Sequence, residues 1–285
     1  MGSKRCISGS GRERGKDLSP PMCPSAPVNT MKESLVLFLS CCLVLAVCAA
    51  GCTTGQQGNQ TSPGTGNMTT ITAAGNSYPA YLAAPGTAGR HPGIVLIHSF
   101  NGLEQGYKDM CDQIAADGFV VVAPAWQTYH QQAGDPEVES IIRSSVGILQ
   151  TRPDVNGSAL GLTGFCAGGR YTMLFLPQVK EFSSGVAFYG FPYNRGFTNN
   201  TMPVEHIGEL TVPILMIHGS RDQASPITDI YTYSKELDSA GKYFELKEYQ
   251  GKPHGFMVVN GSLVRDLTTK DAYSEMITLF RRTLS

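Results

Sequence analysis

The sequence predicts an α/β domain built on a mostly parallel central sheet with helices on both faces. Three observations predict it. Several apolar runs of strand length show no polar alternation, as in strands buried on both faces. Segments whose apolar residues recur at three and four alternate with those runs. Between one such run and one such segment stands Gly164-Phe165-Cys166-Ala167-Gly168-Gly169, the setting of a sharp strand-to-helix turn that exposes the side chain at its tip. Alternating strands and helices imply right-handed crossovers in a parallel sheet.

In chain order, residues 78–82 read as an edge strand, because Pro79 is tolerated where no ladder bond is needed. Residues 93–98 read as a buried strand. Residues 107–116 have helical spacing, with Met110, Cys111, Ile114 and Ala115 on one side. A second buried strand covers 119–123 and is stopped by Pro124. In 137–149, Val138, Ile141, Ile142, Val146 and Leu149 mark a helix. The run 159–163 leads into the glycine-rich turn, and 170–176 leave it as helix. Strands at 184–189 and 213–218, a helix at 227–239, a strand at 243–249 and a closing helix at 270–284 complete the pattern. The stretch 191–208 lacks periodicity and is expected to loop near the site.

The 285 residues suffice for one domain plus extra segments, and 41% hydrophobic content supports a normal core. A net charge of −1 and the lack of a long basic run argue against nucleic acid as a partner. Six of the 8 cysteines (Cys6, Cys23, Cys41, Cys42, Cys48 and Cys52) precede the domain, so no disulfide framework is expected. Cys111 reads as a small core residue. No C-x-x-C pair in the domain supports a redox role.

The front of the chain reads as an address. Residues 1–30 are polar and read as a non-native or disordered extension, with translation beginning at Met31. Residues 31–52 resemble a signal peptide: the apolar run 35–50 spans roughly sixteen residues, short of the about 20 that cross a membrane. It ends Ala49-Ala50-Gly51-Cys52, which resembles a lipoprotein signal with Cys52 as the lipid attachment point. An uncleaved anchor helix is the other reading of the run. Residues 53–74 are rich in Gly, Ser, Thr, Asn and Gln and read as a flexible tether. The domain is thus expected outside the cytoplasm, associated with a membrane. Asn59, Asn67, Asn156, Asn199 and Asn260 head glycosylation sequons.

The glycine-rich turn places Cys166 where a nucleophile elbow carries its reactive group, with Gly164 and Gly168 allowing close backbone approach. The bland alternative is a glycine-rich turn around an inert cysteine. A reacting cysteine needs a histidine to handle its proton, and the histidine needs an orienting acid. Asp222, just past a strand, is the expected acid, with Asp229 a competitor on a solvated helix face. His254, in a loop after the last strand, is the expected histidine. Of the rivals, His91 reads as a surface loop residue. His98 and His218 end strands and are expected to be satisfied locally, and His206 could line a pocket. Donors for a developing oxyanion are expected from the backbone N–H groups of Ala167 and Phe100. The histidines and acids lack metal-ligand spacing, and the turn is not a dinucleotide fingerprint, so neither metal nor cofactor is expected.

The G-x-C-x-G-G turn at 164–169, Asp222 after its strand and His254-Gly255-Phe256 together resemble the dienelactone hydrolase family. The likeness runs from about Tyr78 to the end, and the strand and loop at 94–102 and Asp117-Gly118-Phe119 also fit. The resemblance implies a single α/β-hydrolase domain over 75–285. It implies a hydrolase of small-molecule esters or lactones acting through an acyl-enzyme, with Cys166, Asp222 and His254 as nucleophile, acid and base and no cofactor. Two positions depart from the family. Ser99 stands where the family carries a glutamate that contacts the resting cysteine. No arginine follows His254 closely, where relatives that cleave dienelactone hold the substrate carboxylate. A lost charge-assisted contact is worth about 1.5–3 kcal/mol, so a less polar substrate than dienelactone is expected. Both departures also suit a surface binding protein that has kept the fold.

Overall fold

The computed structural model describes residues 66–198 and 201–285. The extension, signal, Cys52 and the first part of the expected tether lie outside the described residues. The strands are β1 (Asn67–Ala73), β2 (Asn76–Ala83), β3 (His91–Ile97), β4 (Val120–Pro124), β5 (Val155–Phe165), β6 (Phe182–Phe188), β7 (Ile214–Gly219) and β8 (Phe244–Tyr249). A short hairpin follows, β9 (Val258–Val259) and β10 (Ser262–Leu263). The helices are α1 (Gln105–Ala116), α2 (Asp135–Thr151), α3 (Ala167–Phe175), α4 (Ile227–Ser239) and α5 (Leu267–Thr283).

The main sheet runs β1-β2-β4-β3-β5-β6-β7-β8. From β4 to β8 every pairing is parallel, while β1–β2 and β2–β4 are antiparallel. Successive side chains of a strand face opposite ways, and β3 shows the result. Val95 and Ile97 join the core under α2, α3 and α4, whereas Ile94 and Leu96 join the core under α1 and α5. The continuous apolar runs exist because both faces are covered.

Three expectations fail in the first strands of the sheet. Residues 67–73, expected in the tether, form β1. Only Ile71 and Ala73 of that strand are buried, so its composition is that of a linker although its backbone is fully paired with β2. β1, not β2, is therefore the edge. Pro79 is tolerated in β2 because the register with β4 starts at Ala80, one residue later. His91, expected in a loop, begins β3. Of the stretch 191–208, the described residues before Pro203 carry no helix or strand, and a 3-10 helix spans Pro203–Glu209.

Candidate active site

β5 ends at Phe165 and α3 begins at Ala167, which leaves Cys166 alone on the turn. Its φ of 57° and ψ of −114° lie where an L side chain is strained. The turn is held by its backbone: the Cys166 N–H donates to the Phe188 carbonyl (3.1 Å), and the Cys166 carbonyl accepts from the Arg170 N–H (3.0 Å). A Cβ on Gly164 would sit 2.1 Å from the Gly168 carbonyl oxygen, and one on Gly168 would sit 2.0 Å from the Ile97 carbonyl oxygen. Backbone passes over backbone here, and only glycine leaves room.

Asp222 follows β7, and His254 lies in the loop after β8. The structure brings them together: His254 Nδ1 is 2.7 Å from Asp222 Oδ2. The other carboxylate oxygen accepts the N–H groups of Ala224 (2.9 Å) and Ser225 (2.8 Å). His218 Nε2 is 2.7 Å from the Ser225 carbonyl and 3.2 Å from Asp222 Oδ2. A carbonyl only accepts, so Nε2 of His218 carries the proton and donates. Burial alone would raise the Asp222 carboxyl. The bonds from His218, His254 and the Ser225 N–H instead hold it well below the usual carboxylate range. His218 is satisfied locally, as expected, and it also anchors the acid.

His254 is subject to opposed effects. Burial disfavours its charged form, but the Asp222 carboxylate and the Cys166 sulfur outweigh that and push it up to about 9. Its Nε2 is buried and has no partner of good hydrogen-bond geometry among the described residues. One edge of the ring is thus fixed by a carboxylate, while the other is free for the thiol and for a reacting group.

Phe100, Cys166 and Ala167 share a cavity of about 220 Å³, further lined by Tyr171, Phe191 and Phe197. The N–H of Ala167, first residue of α3, has no intrahelical acceptor. An open cleft of about 500 Å³, bordered by Arg221 and Gln223, lies against His254. Ser99 is buried, and its hydroxyl accepts the Asn101 N–H (3.2 Å). His206 pairs with Glu209 (2.7 Å) and is not among the residues lining the cavity. Asp229 stands in the first turn of α4, half-buried, away from the His254 bond.

Sequence reasoning missed Tyr189. It directly follows β6 with φ of 37°, its ring meets His254 edge-on at 5.0 Å, and its buried hydroxyl has no partner among the described residues. Burial pushes that phenol well above its ordinary range. Its place just past a strand's carboxyl end, where α/β sites gather, was the available signal.

All three groups stand at carboxyl ends of parallel strands, in the chain order nucleophile position, acid, histidine, and that arrangement defines the α/β-hydrolase class. Comparison with known proteins narrows it. The pattern of the dienelactone hydrolase family matches residues 78–284, and the chain belongs to that family, whose members hydrolyse carboxylic esters or lactones. A Salmonella typhimurium relative named "Putative carboxymethylenebutenolidase" is 25% identical over 233 residues, covering 75% of this chain and 86% of the relative. A Bradyrhizobium relative named "Probable 2-oxo-3-(5-oxofuran-2-ylidene)propanoate lactonase" is also 25% identical, over 73% of this chain and 90% of its own length. The crystal structure of a "Putative Dienelactone Hydrolase" from Klebsiella pneumoniae superposes with a TM-score of 0.69 at 24% identity. It covers 76% of this chain and 98% of that one, and supports the fold.

Proposed function

We propose that this chain hydrolyses small-molecule esters or lactones with Cys166 as its nucleophile, through an acyl-enzyme. The observation that carries the reading is the strained turn that presents Cys166 beside a histidine already oriented by a buried carboxylate.

The Cys166 thiolate attacks the substrate carbonyl carbon, forming a C–S bond and an oxyanion. The N–H groups of Ala167 and Phe100 face that oxyanion. Collapse breaks the C–O bond, and the imidazolium of His254 gives its proton to the departing alkoxide. In a lactone the alkoxide stays attached to the acyl group. His254, now neutral, takes a proton from water as the water oxygen attacks the thioester. The second collapse returns the sulfur as thiolate and releases the carboxylic acid. Asp222 keeps its charge throughout and stabilises the imidazolium. Ser99 cannot accept a proton as the family's glutamate does, which leaves thiol activation to His254.

We further propose that the domain is exported and held at a membrane through lipid on Cys52. The support is the apolar run 35–50 ending at Ala49-Ala50-Gly51-Cys52. No helix among the described residues is long and apolar enough to cross a membrane. Labelling with a radioactive fatty acid, lost on Cys52→Ser, tests the attachment.

Aryl ester and lactone hydrolysis by the full chain, with Cys166→Ala beside it, tests the chemistry. Removing an activated nucleophile is expected to lower kcat by at least about 10³-fold. Undiminished turnover in the variant would refute the role of Cys166.

A further inference from the structure

The cavity beside Cys166 has mostly apolar walls, and among the described residues lining it the one charged side chain is already in use. Arg170 is buried on α3 and is the cation lining the cavity. Its Nη1 and Nη2 grip both oxygens of buried Asp135 (2.7 and 2.8 Å). Its Nη2 also donates to the Thr201 carbonyl (2.9 Å), and its Nε to the Asn194 carbonyl (2.7 Å). A guanidinium has five N–H donors, so one is left. The backbone of Gly196 lies so close that a Cβ there would meet the Arg170 Cζ at 2.9 Å.

These bonds fix where the following residue stands. The Phe197 ring, 39% exposed, reaches the Phe100 ring at 5.2 Å between centroids and closes the rim of the cavity. Phe100, Tyr171, Phe191 and Phe197 supply the apolar walls. A carboxylate placed among them would lose its hydration and find the cation that lines the cavity, Arg170, already neutralised at ion-pair distance. The volume, about 220 Å³, falls below the usual range for drug-sized ligands and suits one ring or a short alkyl chain.

Building on the hydrolase reading, we propose that this cavity is the acyl subsite for an uncharged, apolar acyl group. Arg170 is a positioning residue that latches the Phe197 wall through Asp135, Asn194 and Thr201, and it does not bind a substrate anion.

The test separates binding from turnover. The full-length Cys166→Ala chain is titrated calorimetrically with butyrophenone and with 4-oxo-4-phenylbutanoate, in which a carboxylate replaces the terminal methyl. The neutral ketone is expected to bind at least about tenfold more tightly. Equal or tighter binding of the carboxylate, or no binding of either, overturns the proposal. Phe197→Ala, at a rim position, is expected to weaken the ketone about tenfold with an unchanged unfolding midpoint. Arg170→Lys keeps the charge but loses the fork. It is expected to weaken the ketone similarly, with no further loss when combined with Phe197→Ala. Additive losses would overturn the latch, as would improved carboxylate binding on losing Arg170's partners. Wild-type turnover of 4-nitrophenyl butanoate is measured alongside. If the ketone binds selectively but the ester is untouched, the hydrolase reading fails while the apolar subsite stands.

Discussion

The elbow around Cys166 and the wall around Phe197 border the same cavity and are built on opposite principles. The elbow is backbone against backbone: Gly164 on Gly168, and Gly168 on Ile97, with no room for a methyl group. Its parts are near in sequence or on adjacent parallel strands. The wall is held by one arginine side chain bonded to a carboxylate and two backbone carbonyls that lie up to 35 residues away. Tight backbone packing fixes a reacting atom to a fraction of an ångström, as chemistry demands. A side-chain latch fixes a loop just as firmly but lets the loop sequence vary, which suits a surface that selects substrates.

The elbow is the part whose failure should cost most. In Gly168→Ala the new Cβ would fall 2.0 Å from the Ile97 carbonyl oxygen, and neither strand nor helix can retreat. We expect destabilisation of more than about 4 kcal/mol, seen as a collapse of the urea midpoint. A fully stable Gly168→Ala chain would break the comparison at its root. The wall comes next. Asp135→Asn keeps the shape of the partner but leaves the buried Arg170 charge uncompensated. We expect a loss of about 3–5 kcal/mol by denaturant titration. Replacing both by well-packed apolar residues should recover much of that loss. A small effect of Asp135→Asn would mean that the latch carries little.

Legibility in the sequence follows the same division. The glycines at 164 and 168, the acid after β7 and the histidine after β8 were readable, because local motif and chain order specify them. The buried strands were readable because both faces are covered. β1 was not: an edge strand that buries only Ile71 and Ala73 carries the composition of a linker. The β9–β10 hairpin had a readable signal in Asn260-Gly261, whose φ values of 50° and 76° match a tight hairpin turn, but that pair also reads as a sequon. The Arg170–Asp135 pair has no local signature, since nothing in either segment names the other. Tyr189 was hidden for a related reason: its partner, His254, comes from a loop far along the chain.

The smallest effect separates strain from chemistry within the elbow. Cys166 sits at φ 57° and ψ −114°, and a side chain held in so sparse a region costs about 1–3 kcal/mol. Cys166→Gly should release that strain, at an unfolded-state cost of about 0.5–1 kcal/mol for the added backbone freedom. The net expectation is a gain of about 1 kcal/mol over Cys166→Ala, measured by urea unfolding. Both variants lose the thiol and its influence on His254, so the difference between them reports the backbone alone. Equal stability of the two would mean that the turn is unstrained and that its geometry is set by the glycines on either side. A gain confined to glycine would mean that the chain holds Cys166 in place against its own conformational preference, as a site selected for a reacting group would.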